Sequence, residues 1–162
     1  ITWSLVGSEM CIRDSLKEGF MSTEIFLPIF YMLILTSAVF LFNTIIRFKD
    51  VLIDKGHRGS ELYGLSLPSS ASNITKQGDR NLVNLFEFPI FFYTVCVSIY
   101  MTGKVDDYFV LLAYWFVGFR VLHSLYHIFI NGFLGALPIR ALFFVPSWVI
   151  VVWMWFRFIQ ML

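Results

Sequence analysis

Three polar side chains fall on one face at the head of a largely apolar run: Arg80, Asn84 and Glu87 in Arg80-Asn-Leu-Val-Asn-Leu-Phe-Glu-Phe-Pro-Ile-Phe-Phe92. On a helix they share a sector of roughly 60°, and a rise of about 1.5 Å per residue sets Glu87 about 10 Å deeper than Arg80. A second group, Arg120, His123, Ser124 and His127, is spaced i, i+3, i+4, i+7 and fills a sector of about 100°. Arg140 stands at the head of the last apolar run. Ionisable groups inside a membrane are costly and usually mark function. The pairing that costs least is Glu87 with Arg120, because a guanidinium grips a carboxylate bidentately. That ion pair is expected. His123 and His127 have the i, i+4 spacing of a metal pair, but with no third ligand in the pattern they are expected as hydrogen-bonded histidines, with no metal.

Composition supplies the medium that must position these groups. Of 162 residues, 58% are hydrophobic and only 14% charged, against about 25% charged in a soluble domain, and mean hydropathy is +0.75. A net charge of +1 and the lack of a basic aromatic groove exclude a nucleic-acid partner and leave membrane lipid as the surroundings. Cys11 and Cys96 have no metal spacing, and Cys96 lies in an apolar run, so no disulfide framework is expected.

Four spans are predicted, at about 25–46, 82–101, 108–130 and 141–162, within one all-α transmembrane domain over 21–162. Residues 1–20 resemble translated adaptor sequence and are expected not to be native, with Met21 as the start. Between spans one and two, Phe48–Asp79 reads as a long polar segment whose glycines, Pro68 and Ser-Ser-Ala-Ser run argue against a continuous helix. The short connection Thr102–Asp107 makes spans two and three antiparallel neighbours. Loop one holds Arg47, Lys49, Lys55, Arg58, Lys76 and Arg80, loop three holds Arg140, and loop two only Lys104. The positive-inside rule therefore puts loops one and three in the cytoplasm. The inner halves of spans two and three, with the head of span four, then converge their cations on one cytoplasm-facing cavity.

The order Arg80-x-x-x-Asn84-x-x-Glu87 followed by Pro89 resembles the second-helix signature of the membrane-associated proteins in eicosanoid and glutathione metabolism (MAPEG). Arg120-Val-Leu-His123-Ser124 and Pro138-Ile-Arg140 are similar to further motifs of that family, in the same order, and the first two stretches look most like its bacterial branch. The resemblance implies a left-handed four-helix bundle assembling as a homotrimer, in a bacterial inner membrane, with glutathione as co-substrate between subunits. Carried over by motif position, Arg80, Asn84 and Glu87 hold the polar ends of the tripeptide, His123 adds a contact, and Arg120 buttresses Glu87. Arg140 matches the arginine beside the glutathione sulfur and is the catalytic candidate.

The activity so implied is glutathione transferase or peroxidase-like chemistry on lipophilic electrophiles. Glutathione's two carboxylates and ammonium suit clustered cations with a carboxylate, and a cation beside a thiol favours the nucleophilic thiolate. The sequence also departs from the prostaglandin synthases. Ala141 replaces a serine, Phe144 a tyrosine, and His127 the tyrosine four residues after His123, while Tyr126 is displaced by one. Prostaglandin or leukotriene synthesis is therefore not expected. A non-catalytic lipid-binding or scaffold protein of the same fold is the second reading. A transporter is disfavoured because no inverted repeat is evident.

Overall fold

The apolar runs fold as helices because in hydrocarbon each backbone amide and carbonyl must be satisfied within its own segment. A computed structural model describes residues 23–53, 72–130 and 137–162, and all regular structure among them is helical. Helix α1 spans Phe26–Ile53, α2 Asn73–Glu87, α3 Ile90–Met101, α4 Asp107–Leu125 and α5 Leu137–Gln160, and a π-helical turn over Tyr126–Ile130 prolongs α4. Helices α2 and α3 form a single span interrupted at Phe88–Pro89. Pro89 has no amide to donate and its ring crowds the carbonyl four residues back, so the ladder restarts at Tyr93, whose amide bonds Pro89 O at 2.9 Å. Among the described residues four stretches are long and apolar enough to cross a bilayer: Phe26–Asp50, Asn73–Met101, Asp107–Ile130 and Ile139–Gln160. The protein is an all-α, multi-pass membrane four-helix bundle.

Met32 and Val39 of α1, Phe92 and Ile99 of α3, Phe116 of α4 and Met154 of α5 meet in the core, where Phe92 and Phe116 stack with centroids 4.2 Å apart. The outer face is apolar too. Leu33, Ile45, Trp115 and Val149 are all more than half exposed, as a surface facing acyl chains requires. At one end α3 closes on Gly103 in a left-handed conformation (φ +65°), with Lys104 N bonding Ile99 O at 3.0 Å. Asp106 then caps α4 through Phe109 N at 2.8 Å and pairs with Arg157 of α5 at 2.5 and 3.0 Å. Arg157 also lies over the rings of Tyr108 and Phe109.

At the other end the polar segment is more helical than its composition suggests. Helix α1 continues to Ile53 and α2 begins at Asn73, capped by Ser72, so both helices reach into the region expected to be irregular. The two extensions are held to one another by polar contacts. Asp79 accepts from Asn43 and forms an ion pair with Arg47, and Asp50 accepts from Thr75 Oγ1 at 2.5 Å. Arg47, expected as a topology charge, is thus part of a link between α1 and α2. Residues 1–20 with Cys11, the expected start Met21, and Lys55, Gly56, Arg58, Gly59, Gly64 and Pro68 of the first connection lie outside the described residues.

Candidate functional site

The rotation of α2 about its axis decides what each polar residue faces. Its buried side is Thr75, Gly78, Asn81 and Leu85. Gly78 permits a close approach to α1, since a Cβ there would lie 2.6 Å from Asn43 Oδ1. With that face inward, Asn84 falls at its margin, half-buried, while Arg80 and Glu87 turn outward and are exposed.

The expected Glu87–Arg120 ion pair is not formed within the protomer. Among the described residues the ion pairs are Arg47–Asp79 and Arg157–Asp106. Asn84 and Glu87 differ by about 60° around the helix, enough to separate the core margin from the outer surface. Arg120 meets Asn84 instead. Its Nη2 donates to Asn84 Oδ1 at 2.7 Å and to the Asn84 carbonyl at 3.0 Å. The guanidinium is 0% exposed and stands 5.3 Å from the Phe88 ring centroid. Its Nε and Nη1 have no hydrogen-bond partner among the described residues. Glu87 likewise has no polar contact within the described protomer and lies among the exposed Val83, Phe86, Ile90 and Phe91.

The far end of α4 completes the arrangement. The π-helical turn begins at Tyr126, and such turns recur at functional sites because they re-aim side chains. It places His127 almost fully buried, 5.8 Å from His123 between ring centroids. Arg140, one turn into α5, brings Nη1 to 3.5 Å from His127 Nε2. Phe144, one turn further, packs on both His123 and Phe88, with centroids 5.7 and 5.2 Å away.

These residues enclose a cavity of 410 Å³ lined by Arg80, Asn84, His123, His127, Arg140, Ala141 and Phe144. Its size falls in the range of about 300–1,000 Å³ typical of small-molecule sites. Of the residues singled out from sequence, Arg80, Asn84, His123, His127 and Arg140 are brought together on this wall, whereas Glu87, Arg120 and Ser124 are not among its described lining residues. Among the described lining residues none comes from α1; α2, α4 with its π-helical turn, and α5 build the wall.

Sequence reasoning noted His127, Ala141 and Phe144 as departures from the family's hydroxyl positions and gave them no ligand contact of their own. The signal for His127 was its i+4 spacing from His123, and for Ala141 and Phe144 their places one and four residues after Arg140. The described lining residues offer guanidinium and amide donors, two imidazoles and one aromatic face, and among them there is no carboxylate and no hydroxyl. Chemically it can bind an anion and hold a negative charge against an apolar wall. No cluster of three or more metal-ligating side chains occurs among the described residues.

A family model described as MAPEG family matches residues 24–160. Neither a curated protein nor a solved structure matches the chain.

Proposed function

The chain belongs to the MAPEG family, and on that premise we propose that its cavity binds glutathione and holds its sulfur as a thiolate for reaction with lipophilic electrophiles. The observation that carries this reading is the convergence of Arg80 and Arg140, with Asn84 and two histidines, on one cavity at the end of a membrane bundle. The lining fits the tripeptide's anionic character. Two guanidinium groups and an amide offer donors to its two carboxylates, and a guanidinium at Arg140 suits a negative sulfur. When bound, glutathione supplies the nucleophile. An unperturbed thiol has a pKa of about 8.5, so a fixed cation beside it raises the reactive fraction at neutral pH. Arg140 stands beside His127 and one helical turn from the apolar Phe144, where an electrophile entering from the lipid would meet the sulfur.

Glu87 enters this reading from outside the protomer's own cavity. An exposed carboxylate on an apolar helix face suits a boundary between subunits, where it would reach the ammonium of a ligand held by a neighbour. A homotrimer with cavities between subunits, opening to the cytoplasm of a bacterial cell, accommodates it.

One feature of the wall favours a second reading, a ligand-binding scaffold without turnover. Ala141 and Phe144 bring no hydroxyl to the cavity, and Tyr126 Oη is buried without being part of the lining. One experiment separates the two. In detergent-solubilised protein, thiolate absorbance is expected on adding glutathione, with turnover of a model aryl halide falling about 100-fold or more in Arg140→Ala. Binding without thiolate, or turnover indifferent to Arg140→Ala, refutes the catalytic reading. No glutathione binding at millimolar concentration refutes the thiol site altogether.

A further inference from the structure

The amide of Asn84 is flanked on one side by a residue that never reaches the cavity. Arg120 Nη2 donates to Oδ1 at 2.7 Å and to the backbone carbonyl of the same residue at 3.0 Å. Arg120 is 0% exposed and no carboxylate pairs with it among the described residues. A guanidinium has five N–H donors and no acceptor, whereas an amide has a donor end and an acceptor end. Only the oxygen of Asn84 can therefore face Arg120. The NH2 end is turned away from Arg120, and Asn84 itself lies on a wall that Arg120 does not touch.

We propose that Arg120 is a positioning residue that locks Asn84 as a hydrogen-bond donor toward the cavity, so that this point of the site selects a ligand carboxylate over a carboxamide. The neighbouring cations make such selection meaningful. Arg80 and Arg140 can only donate, so the charged part of the wall is electropositive, and an amide free to turn would present an acceptor beside it at Asn84. The backbone bond adds to the lock. Asn84 O already accepts from Phe88 N at 3.3 Å, beside the Pro89 interruption, and the guanidinium takes its second lone pair. Side chain and main chain of Asn84 are thus held by one nitrogen.

The inference rests on the thiol-site reading above and takes glutathione and its two monoamides as probes, each monoamide having one carboxylate replaced. Affinities are measured in detergent for the unaltered protein, Asn84→Asp and Arg120→Met. In Asn84→Asp, the carboxylate pairs with Arg120 and turns an acceptor to the cavity. The thermal midpoint is expected to hold or rise, while preference for glutathione over one monoamide falls about tenfold or more. In Arg120→Met the amide is released and the same preference falls several-fold.

Unchanged preference against both monoamides in Asn84→Asp overturns the proposal. So does a sharp loss of thermal stability in that variant, since a carboxylate beside a buried guanidinium is favourable. A folded Arg120→Met protein with unaltered preference removes Arg120 from the role. If the unaltered protein binds neither glutathione nor a monoamide, the thiol-site reading fails and takes this one with it.

Discussion

Gly78→Ala tests how α2 is set against α1, and the sign of its effect depends on two opposing magnitudes. In a helix interior alanine is favoured over glycine by about 1 kcal/mol. Opposing this, the new Cβ would stand 2.6 Å from Asn43 Oδ1 and 3.2 Å from its Cγ, so the Asn43 side chain must turn aside. Asn43 is only 4% exposed, and its Nδ2 donates to the carboxylate of Asp79, so turning forfeits a hydrogen bond to a charged group. Such bonds are worth about 1.5–3 kcal/mol. The loss outweighs the gain, and a net destabilisation of about 0.5–2 kcal/mol is expected. In an Asn43→Ala background the obstacle is gone, and Gly78→Ala becomes neutral or stabilising by up to about 1 kcal/mol. The assay is reversible unfolding in mixed detergent micelles followed by circular dichroism, run as a double-mutant cycle. Because Arg80 follows two residues on, affinity for glutathione, the proposed ligand, should weaken in Gly78→Ala and recover with the second substitution. A stabilising single substitution, or the same cost in both backgrounds, would refute the account of why α2 faces as it does.

At the opposite end, Arg157→Gln removes the pair to Asp106 and the stacking on Tyr108 and Phe109; both partners are partly exposed, so about 1 kcal/mol of stability is expected to go. Ligand affinity should not change, because the cavity lies at the other end, and titration of both properties on one preparation checks the separation. Glu87→Gln is expected to leave the unfolding midpoint of the monomeric protein within about 0.5 kcal/mol, since Arg120 is held by Asn84. Native mass measurement in detergent should then show a weakened oligomer if Glu87 serves a subunit boundary, and a monomeric unfolding midpoint that drops sharply would restore the Glu87–Arg120 pair.

Much of this bundle was legible in the order of residues. Four apolar runs, a short connection at Thr102–Asp107 and a polar first connection specify spans and their adjacency, because hydrocarbon allows a lone chain segment little but a helix. The three cavity-forming stretches were legible too, since Arg80, Asn84, His123 and Arg140 stand near the ends of spans that meet at one end of the bundle. The ends of α1 and α2 were not. Phe48–Ile53 and Asn73–Asp79 are polar enough to read as loop, and they are helical where Asp79 and Asp50 tie them together across more than twenty residues of chain. Asn43 and Arg47, four residues apart at the end of an apolar run, were the available signal that a carboxylate would be needed there.

The stretch from Arg80 to Glu87 divides the two kinds of knowledge most clearly. Helical periodicity by itself determined that Arg80, Asn84 and Glu87 share a sector of roughly 60°. It could not determine where the edge of the buried face would cut that sector, because period fixes the angles between side chains and leaves the rotation of the whole helix free. Packing fixed the rotation. Gly78 against Asn43, with Asn81 and Leu85 buried, turns Asn84 to Arg120 and leaves Glu87 on the outside.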